Sequence, residues 1–261
     1  MIKMFIRKII QQVSKNKLMY KLAQRVAFDH RGENNSDIYI NGESLFLKKN
    51  INFLNIFFDV GANIGEWTNF VSKMKPGAEV FSFEPIDDSF NDLSKNVKSK
   101  NARLIKMALG DKTEKVVFNV YGDYSVMNSM YVRASDGLMV LKKQEVDMMR
   151  LDDFCLENNV KNIDFLKIDV EGNELKVLDG AKDMLSNDKI SVIQFEYGGT
   201  YIDAEILLKD VFDFFSELPY TIYKILPDRL LQTGYSQQLE NFQYANYLAI
   251  NNSWLNKINS K

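Results

Sequence analysis

The sequence predicts an α/β fold, a doubly wound and mainly parallel sheet with helices on both faces. Three observations predict it. Apolar runs of strand length, nearly continuous in Ile, Val, Phe or Tyr, recur after Ile51, as they do in strands covered on both faces. Helix-like segments alternate with several of these runs. The first run also ends in a glycine turn, "FFDVGANIGEWTNF" from Phe57 to Phe70, which opens like a strand and closes like a helix. At 261 residues the chain is long enough for one well-buried core with an appended element.

Residues 1–50 read as a helical extension. Ile2, Phe5, Ile6, Ile9 and Val13, and less regularly Leu18, Leu22 and Val26, fall near helical spacing, with Lys3, Arg7, Lys15, Lys17, Lys21 and Arg25 interspersed. Such a basic helix suits a cap on the domain's own core, the preferred reading, or weak peripheral contact with an anionic membrane surface. A polar connection follows, with a short hairpin expected around Asn41-Gly42.

Residues 51–261 read as a single domain without internal repeats. Its strands are expected at "NIFFDV", "EVFSFEP", "ARLIKMAL", "IDFLKIDV", "ISVIQFEY", "YTIYKILP" and "YANYLAI", seven in all. Helices are expected at "IGEWTNFVSKM", "SFNDLSKNVKSK", "NELKVLDGAKDML" and "AEILLKDVFDFFSEL". Two segments interrupt the alternation. "EKVVFNVYGDYSVMNSMYVR" alternates like an exposed hairpin inserted before the strand at Ile163, and "PDRLLQTGYSQQLENFQ" reads as a loop or short helix.

Composition excludes several functions. A net charge of −2 provides no field to recruit nucleic acid. The single cysteine, Cys155, precludes an internal disulfide and reads as a buried structural thiol. His30 stands alone, which removes the usual zinc chemistries. No run approaches the roughly 20 apolar residues of a membrane span, and Arg7 and Lys8 interrupt a secretory signal. The expected location is cytoplasmic.

The candidate site begins at Gly61. Doubly wound sheets hold ligands outside the carboxyl ends of their strands, and Gly61 and Gly65 allow a tight bend with close backbone approach. Asp59 at the strand end is placed to accept hydrogen bonds from loop amides or a cationic ligand group. The order Gly61-Ala62-Asn63-Ile64-Gly65-Glu66 is neither G-x-G-x-x-G nor a P-loop. Nearby acids would also repel a pyrophosphate. Glu84 ends the second strand 23 residues after Gly61, close to the spacing of ~20 at which an acid grips ribose hydroxyls. A ribose acid beside an altered glycine turn and few phosphate ligands points to S-adenosylmethionine. Asp111, just past the third strand in "ALGD", is the candidate for the adenine edge.

A second stretch, "DFLKIDVEGNELKVLDGA", delivers Asp169 and Glu171 to the same edge. Acids there either stabilise the next helix through its dipole or serve a reacting acceptor. In the second reading a carboxylate takes a hydroxyl's proton as a carbon–oxygen bond forms. Glu196, in "IQFEYGG", is placed to share that role or to bind sugar-like hydroxyls. Carboxylate oxygens also suit a divalent metal, though the spacing requires none. In the inserted hairpin, Tyr121, Tyr124, Ser125, Asn128 and Ser129 form a set able to stack on and hydrogen-bond a sugar.

These segments together resemble the FkbM family of S-adenosylmethionine-dependent methyltransferases. "FDVGANIGEWT", "FSFEP", "ALGD", "LDDF" followed by "IDFLKIDVEGNELKVLDGA", and "IQFEY" occur in the family's order, between Ile56 and Tyr197. The resemblance implies a class I methyltransferase (Rossmann-like) fold, usually of seven strands with the last antiparallel. It implies O-methylation, often of sugars or other hydroxylated small molecules. By match to the motifs, Asp59, Gly61, Asn63 and Gly65 belong to the cofactor loop and Glu84 to the ribose. Asp169 and Glu171 lie where cofactor and acceptor meet. The expectation is an O-methyltransferase acting on a sugar or glycan-containing acceptor. The alternatives are a non-sugar small-molecule acceptor and a cofactor-binding module without catalysis.

Overall fold

The computed structural model describes residues 2–121, 128–133 and 139–259. Its strands are β1 (Ile56–Val60), β2 (Glu79–Phe83), β3 (Ala102–Ile105), β4 (Ala108–Gly110), β5 (Glu114–Val120) and β6 (Lys142–Arg150), then β7 (Ile163–Ile168), β8 (Ile190–Tyr197), β9 (Tyr220–Leu226), β10 (Arg229–Gln232) and β11 (Ala245–Asn251). Eight of them form one sheet in the order β10-β9-β11-β8-β7-β1-β2-β3. The chain winds outward from β1 through β2 to β3, then returns to the other side of β1 with β7 and β8. All these neighbours pair parallel, so the winding reverses between β1 and β7. β11 runs antiparallel to both β8 and β9. This is the class I methyltransferase arrangement of strands, with β10 added at one edge.

The chain also forms α-helices, several of which cover the two faces of the sheet. They are α1 (Ile2–Val13), α2 (Lys17–Arg31), α3 (Glu43–Asn50), α4 (Glu66–Met74), α5 (Asp87–Asn96) and α6 (Leu151–Glu157), then α7 (Glu174–Asp179), α8 (Lys182–Ser186), α9 (Thr200–Asp203), α10 (Leu208–Ser216) and α11 (Asn252–Asn259). Strand alternation divides the core between the faces. Phe58, Phe81, Leu166 and Ile193 pack with Phe154 of α6 on one side. Phe57, Val80, Phe165 and Val192 pack with Trp67 of α4 and Phe46 and Leu47 of α3 on the other. Cys155 is buried in the first layer, and burial pushes its thiol up to about 12. α2 caps neither layer, because none of its residues is buried.

The hairpin expected at Asn41-Gly42 is instead the start of α3, with Gly42 at φ +105° as its N-cap, and the helix expected over "NELKVLDGAKDML" divides into α7 and α8. Three strand segments also differ from the sequence expectation. The run "ARLIKMAL" breaks at Lys106-Met107, so that β3 stays in the main sheet while β4 pairs with β6 in a second, three-stranded sheet. β5 meets the residues around 128–133 through a single antiparallel bridge, Asn119↔Ser129, rather than a hairpin ladder. Its partner is β6, in register from Glu114↔Met148 to Val120↔Lys142. Alternation reveals which face of β5 is apolar, not which strand will cover it; Phe118 and Val120 meet Val146 and Met148. β10 lies within the segment expected to be a loop or short helix, because Pro227-Asp228 turns the chain back onto β9.

Candidate active site

The turns after β1 and β7 lie side by side at the carboxyl edge of the sheet. The amides of Gly61 and Ala62 donate to Phe83 O at 3.0 and 2.9 Å, and Asp169 N donates to Val60 O at 3.0 Å. Gly61 has φ +85°, and a Cβ there would stand 1.8 Å from Asp169 O. No side chain fits between the two turns. The crevice they open spans ≈ 720 Å³, open solvent at its mouth included, and is lined by Gly61, Asn63, Glu84, Asp169, Glu171 and, across from them, Met107, Leu109, Phe118 and Asn128.

Beneath the crevice runs a buried polar row. Ser82, Asp59, Lys167 and Gln194 occupy matching positions on β2, β1, β7 and β8. Helices supply their partners. Thr68 of α4 donates from Oγ1 to Asp59 Oδ2 at 2.6 Å and contacts Ser82 Oγ at 2.8 Å. Gln194 Nε2 donates to Glu43 Oε2 of α3 at 2.7 Å. Lys167 Nζ lies 2.8 Å from Asp169 Oδ2 and 3.9 Å from Asp59 Oδ1. Desolvation works against its charge, but Asp169 and Asp59 outweigh it and keep the ammonium proton on. A buried cation is tolerable only with such partners.

Acids crowd the crevice itself. Glu84 accepts Asn63 N through Oε2 and Ile86 N through Oε1, both at 2.9 Å. Burial nevertheless raises it to about 7. Asp169, Glu171 and Glu196 each bring a carboxylate oxygen within 4.8 Å of the others. Burial, reinforced by Asp169, raises Glu171 to about 7, against the pull of Arg133, whose guanidinium lies 2.8 Å from Glu171 Oε2. Burial and the same neighbouring acids hold Glu196 well above the usual carboxylate range. Glu171 also has a left-handed backbone, φ +55°, uncommon for a residue with a side chain. Glu174 holds that turn, accepting Val170 N and Gly172 N at 3.1 Å.

The methyltransferase FkbM domain family matches residues 59–222, which take in both turns and every acid of the crevice. The chain belongs to that family. Methyltransferase 1 of Beauveria bassiana is 26% identical over 171 residues, covering 58% of this chain and 69% of that protein. The 31-O-demethyl-FK506 methyltransferase FkbM of Streptomyces tacrolimicus is 31% identical over 155 residues, covering 49% of this chain and 60% of its own length. The hexuronic acid methyltransferase AglP of Haloferax volcanii is 26% identical over 155 residues, covering 59% and 62%. The chain therefore spans between 60% and 69% of these relatives.

In this FkbM-domain chain the residues singled out from the sequence fall into two groups. Gly61, Asn63, Glu84, Asp169 and Glu171 line the crevice, and Glu196 adjoins the last two. Asp59 is wholly buried beneath it. Gly65 caps α4, where a Cβ would meet Val97 and Leu93 at 2.6 and 2.8 Å, so its backbone serves the packing of α4 against α5. Asp111 is outside the lining; Met107, Ala108 and Leu109, just before it, form that wall.

Of the hairpin residues, Tyr124 and Ser125 lie outside the described residues. Tyr121 is buried and its hydroxyl accepts Arg133 N, while Ser129 Oγ donates to Glu171 O at 2.8 Å. These two support the site from behind; Asn128 reaches the crevice. Lys167, Glu174 and Arg133 went unrecognised in the sequence. Lys167 was detectable as a lone charge inside an apolar strand, and Glu174 as the last acid of "EGNE". Arg133 carries no local signal, since its partner is 38 residues away.

Proposed function

We propose that this FkbM-domain methyltransferase transfers the methyl group of S-adenosylmethionine to a hydroxyl of a sugar or glycan-containing acceptor. The observation that carries the reading is the crevice between the β1 and β7 turns, with one wall carrying Glu84 and the other Asp169 and Glu171, which Glu196 adjoins. The residues fit a cationic adenosine cofactor. A cradle at Gly61 excludes any side chain, and Asn63 Oδ1 is buried without a hydrogen-bond partner among the described residues. Acids outnumber cations around both. Glu84 retains lone pairs for ribose hydroxyls beyond the two amides it accepts, and Met107 to Leu109 offer an apolar wall for a base. The names of the two relatives, one a 31-O-demethyl-FK506 methyltransferase and one a hexuronic acid methyltransferase, favour oxygen as the acceptor atom.

When bound, the donor supplies a methyl group already activated on a positively charged sulfur. The chain's task is then alignment and proton removal. Lys167 fixes Asp169 Oδ2, leaving Oδ1 to take the acceptor's hydroxyl proton. Arg133 holds Glu171, and burial among neighbouring acids favours the protonated form of Glu196, so the cluster offers both an acceptor and a donor to neighbouring hydroxyls. The same three oxygens would suit a divalent cation, but Lys167 and Arg133 already neutralise two of the three acids. Calorimetry tests the cofactor: S-adenosylmethionine or its demethylated product should bind with NAD not competing, and preferential NAD binding would overturn the reading. Labelled-methyl transfer to sugar nucleotides and lipid-linked glycans tests the acceptor.

A further inference from the structure

We propose that α1 and α2 form a docking face for an anionic lipid bilayer. The first argument is charge. Between Ile2 and Arg31 eight Lys and Arg residues stand against one acid, Asp29, although the whole chain carries −2. The surplus of seven there leaves a deficit of nine over residues 32–261. An anionic surface attracts the first region and repels the second, so charge alone orients the molecule on a membrane.

The second argument is the apolar pattern. Leu18, Leu22 and Val26 recur every fourth residue along α2, one above the other on a single face. They are 74%, 56% and 64% exposed, and no residue of α2 is buried. Lys17, Lys21 and Arg25 each sit one residue before a stripe residue, forming a basic flank to the stripe. Ile6, Ile10 and Val13 of α1 are exposed as well. Apolar residues bordered by cations, on a helix none of whose residues is buried, fit a helix lying in the interface plane. No helix of the described residues is long and apolar enough to cross a membrane.

The attachment of α2 gives the face a use. Its end is held by Lys224–Glu33 at 3.0 Å and by Asn34 N donating to Tyr244 O at 2.8 Å. Lys224 nears the end of β9, and Tyr244 precedes β11 where that strand pairs with the end of β8. Both lie at the carboxyl edge of the sheet, the edge that carries the crevice. Docking would bring that edge toward acceptors carried on lipid, an extension that rests on the proposed function; vesicle binding itself does not.

Cosedimentation of the full chain with phosphatidylcholine vesicles, with and without phosphatidylglycerol, tests the proposal. Binding should appear with phosphatidylglycerol only and weaken in high salt. Neutralising Lys17→Gln, Lys21→Gln and Arg25→Gln together should lower partitioning on the order of a hundredfold. Leu18→Ser, Leu22→Ser and Val26→Ser should abolish it, with the thermal midpoint unchanged because these side chains are exposed. Failure of the unaltered chain to bind anionic vesicles overturns the proposal. So does a dimer in sedimentation velocity that the Ser variant dissociates, since a second copy would then cover the face.

Discussion

The turns after β1 and β7 sit against each other at the same sheet edge, yet they are held by different physics. The β1 turn is a backbone construction. Gly61, Asn63 and Gly65 all have positive φ, and the amides of Gly61 and Ala62 close onto Phe83 O. The β7 turn is a charge construction. Lys167 holds Asp169, Arg133 holds Glu171, and Glu174 caps the bend. The first shapes the space and the second sets its chemistry. Damage to the β1 turn should therefore cost shape and activity together, whereas damage to the β7 turn should separate them.

Gly61→Ala is the severest way to break this contrast. A left-handed backbone costs a residue with a Cβ ~1–2 kcal/mol, and the Cβ would also stand 1.8 Å from Asp169 O. Cofactor binding and turnover should both vanish, and stability should fall by about 3 kcal/mol or more, read by calorimetry and thermal unfolding. Asp169→Asn should instead lower kcat on the order of 10²–10⁴-fold while retaining cofactor binding and most of the stability. Full activity in that variant would remove Asp169 as the base.

The same contrast explains what the sequence made legible. The β1 turn and Glu84 stand out because glycine, asparagine and a strand-end acid act through their own local geometry. Asp169 and Glu171 stand out for the same reason, as acids at the end of an apolar run. Lys167 shows only as a lone charge in an apolar strand, because one of its two partners, Asp59, is placed beside it by sheet register alone. Arg133 depends on a loop from the second sheet reaching back to Glu171, and the pairing that builds that sheet, β5 with β6, spans an insertion. Residue type reveals what a position can do; a buried charge is explained by partners that the fold assembles later.

Arg133→Gln sharpens the comparison from the β7 side. The guanidinium restrains a carboxyl that burial and Asp169 have raised to about 7. Its removal should push Glu171 higher, so the acidic limb of the activity–pH profile should move alkaline and turnover near neutrality should fall roughly tenfold, the effect of one pH unit on a single ionisation. An unshifted limb would show that Glu171 is not ionising in the active form.

The last expected effect is a pH dependence of stability in the ligand-free protein. Glu84 and Glu171 are each raised from 4.5 to about 7 by burial. The folded chain therefore holds protons that the unfolded chain releases between about pH 4.5 and 7, and stability must fall as pH rises through that window. The thermal midpoint should drop by on the order of ten degrees between about pH 5 and 8. S-adenosylmethionine should counter the trend, because ribose hydroxyls donate to the ionised form of Glu84 and favour it. Its stabilising increment should thus grow with pH, and Glu84→Gln should remove that growth. A constant increment would mean that Glu84 only pins Asn63 and Ile86, and that the β1 wall is backbone construction throughout.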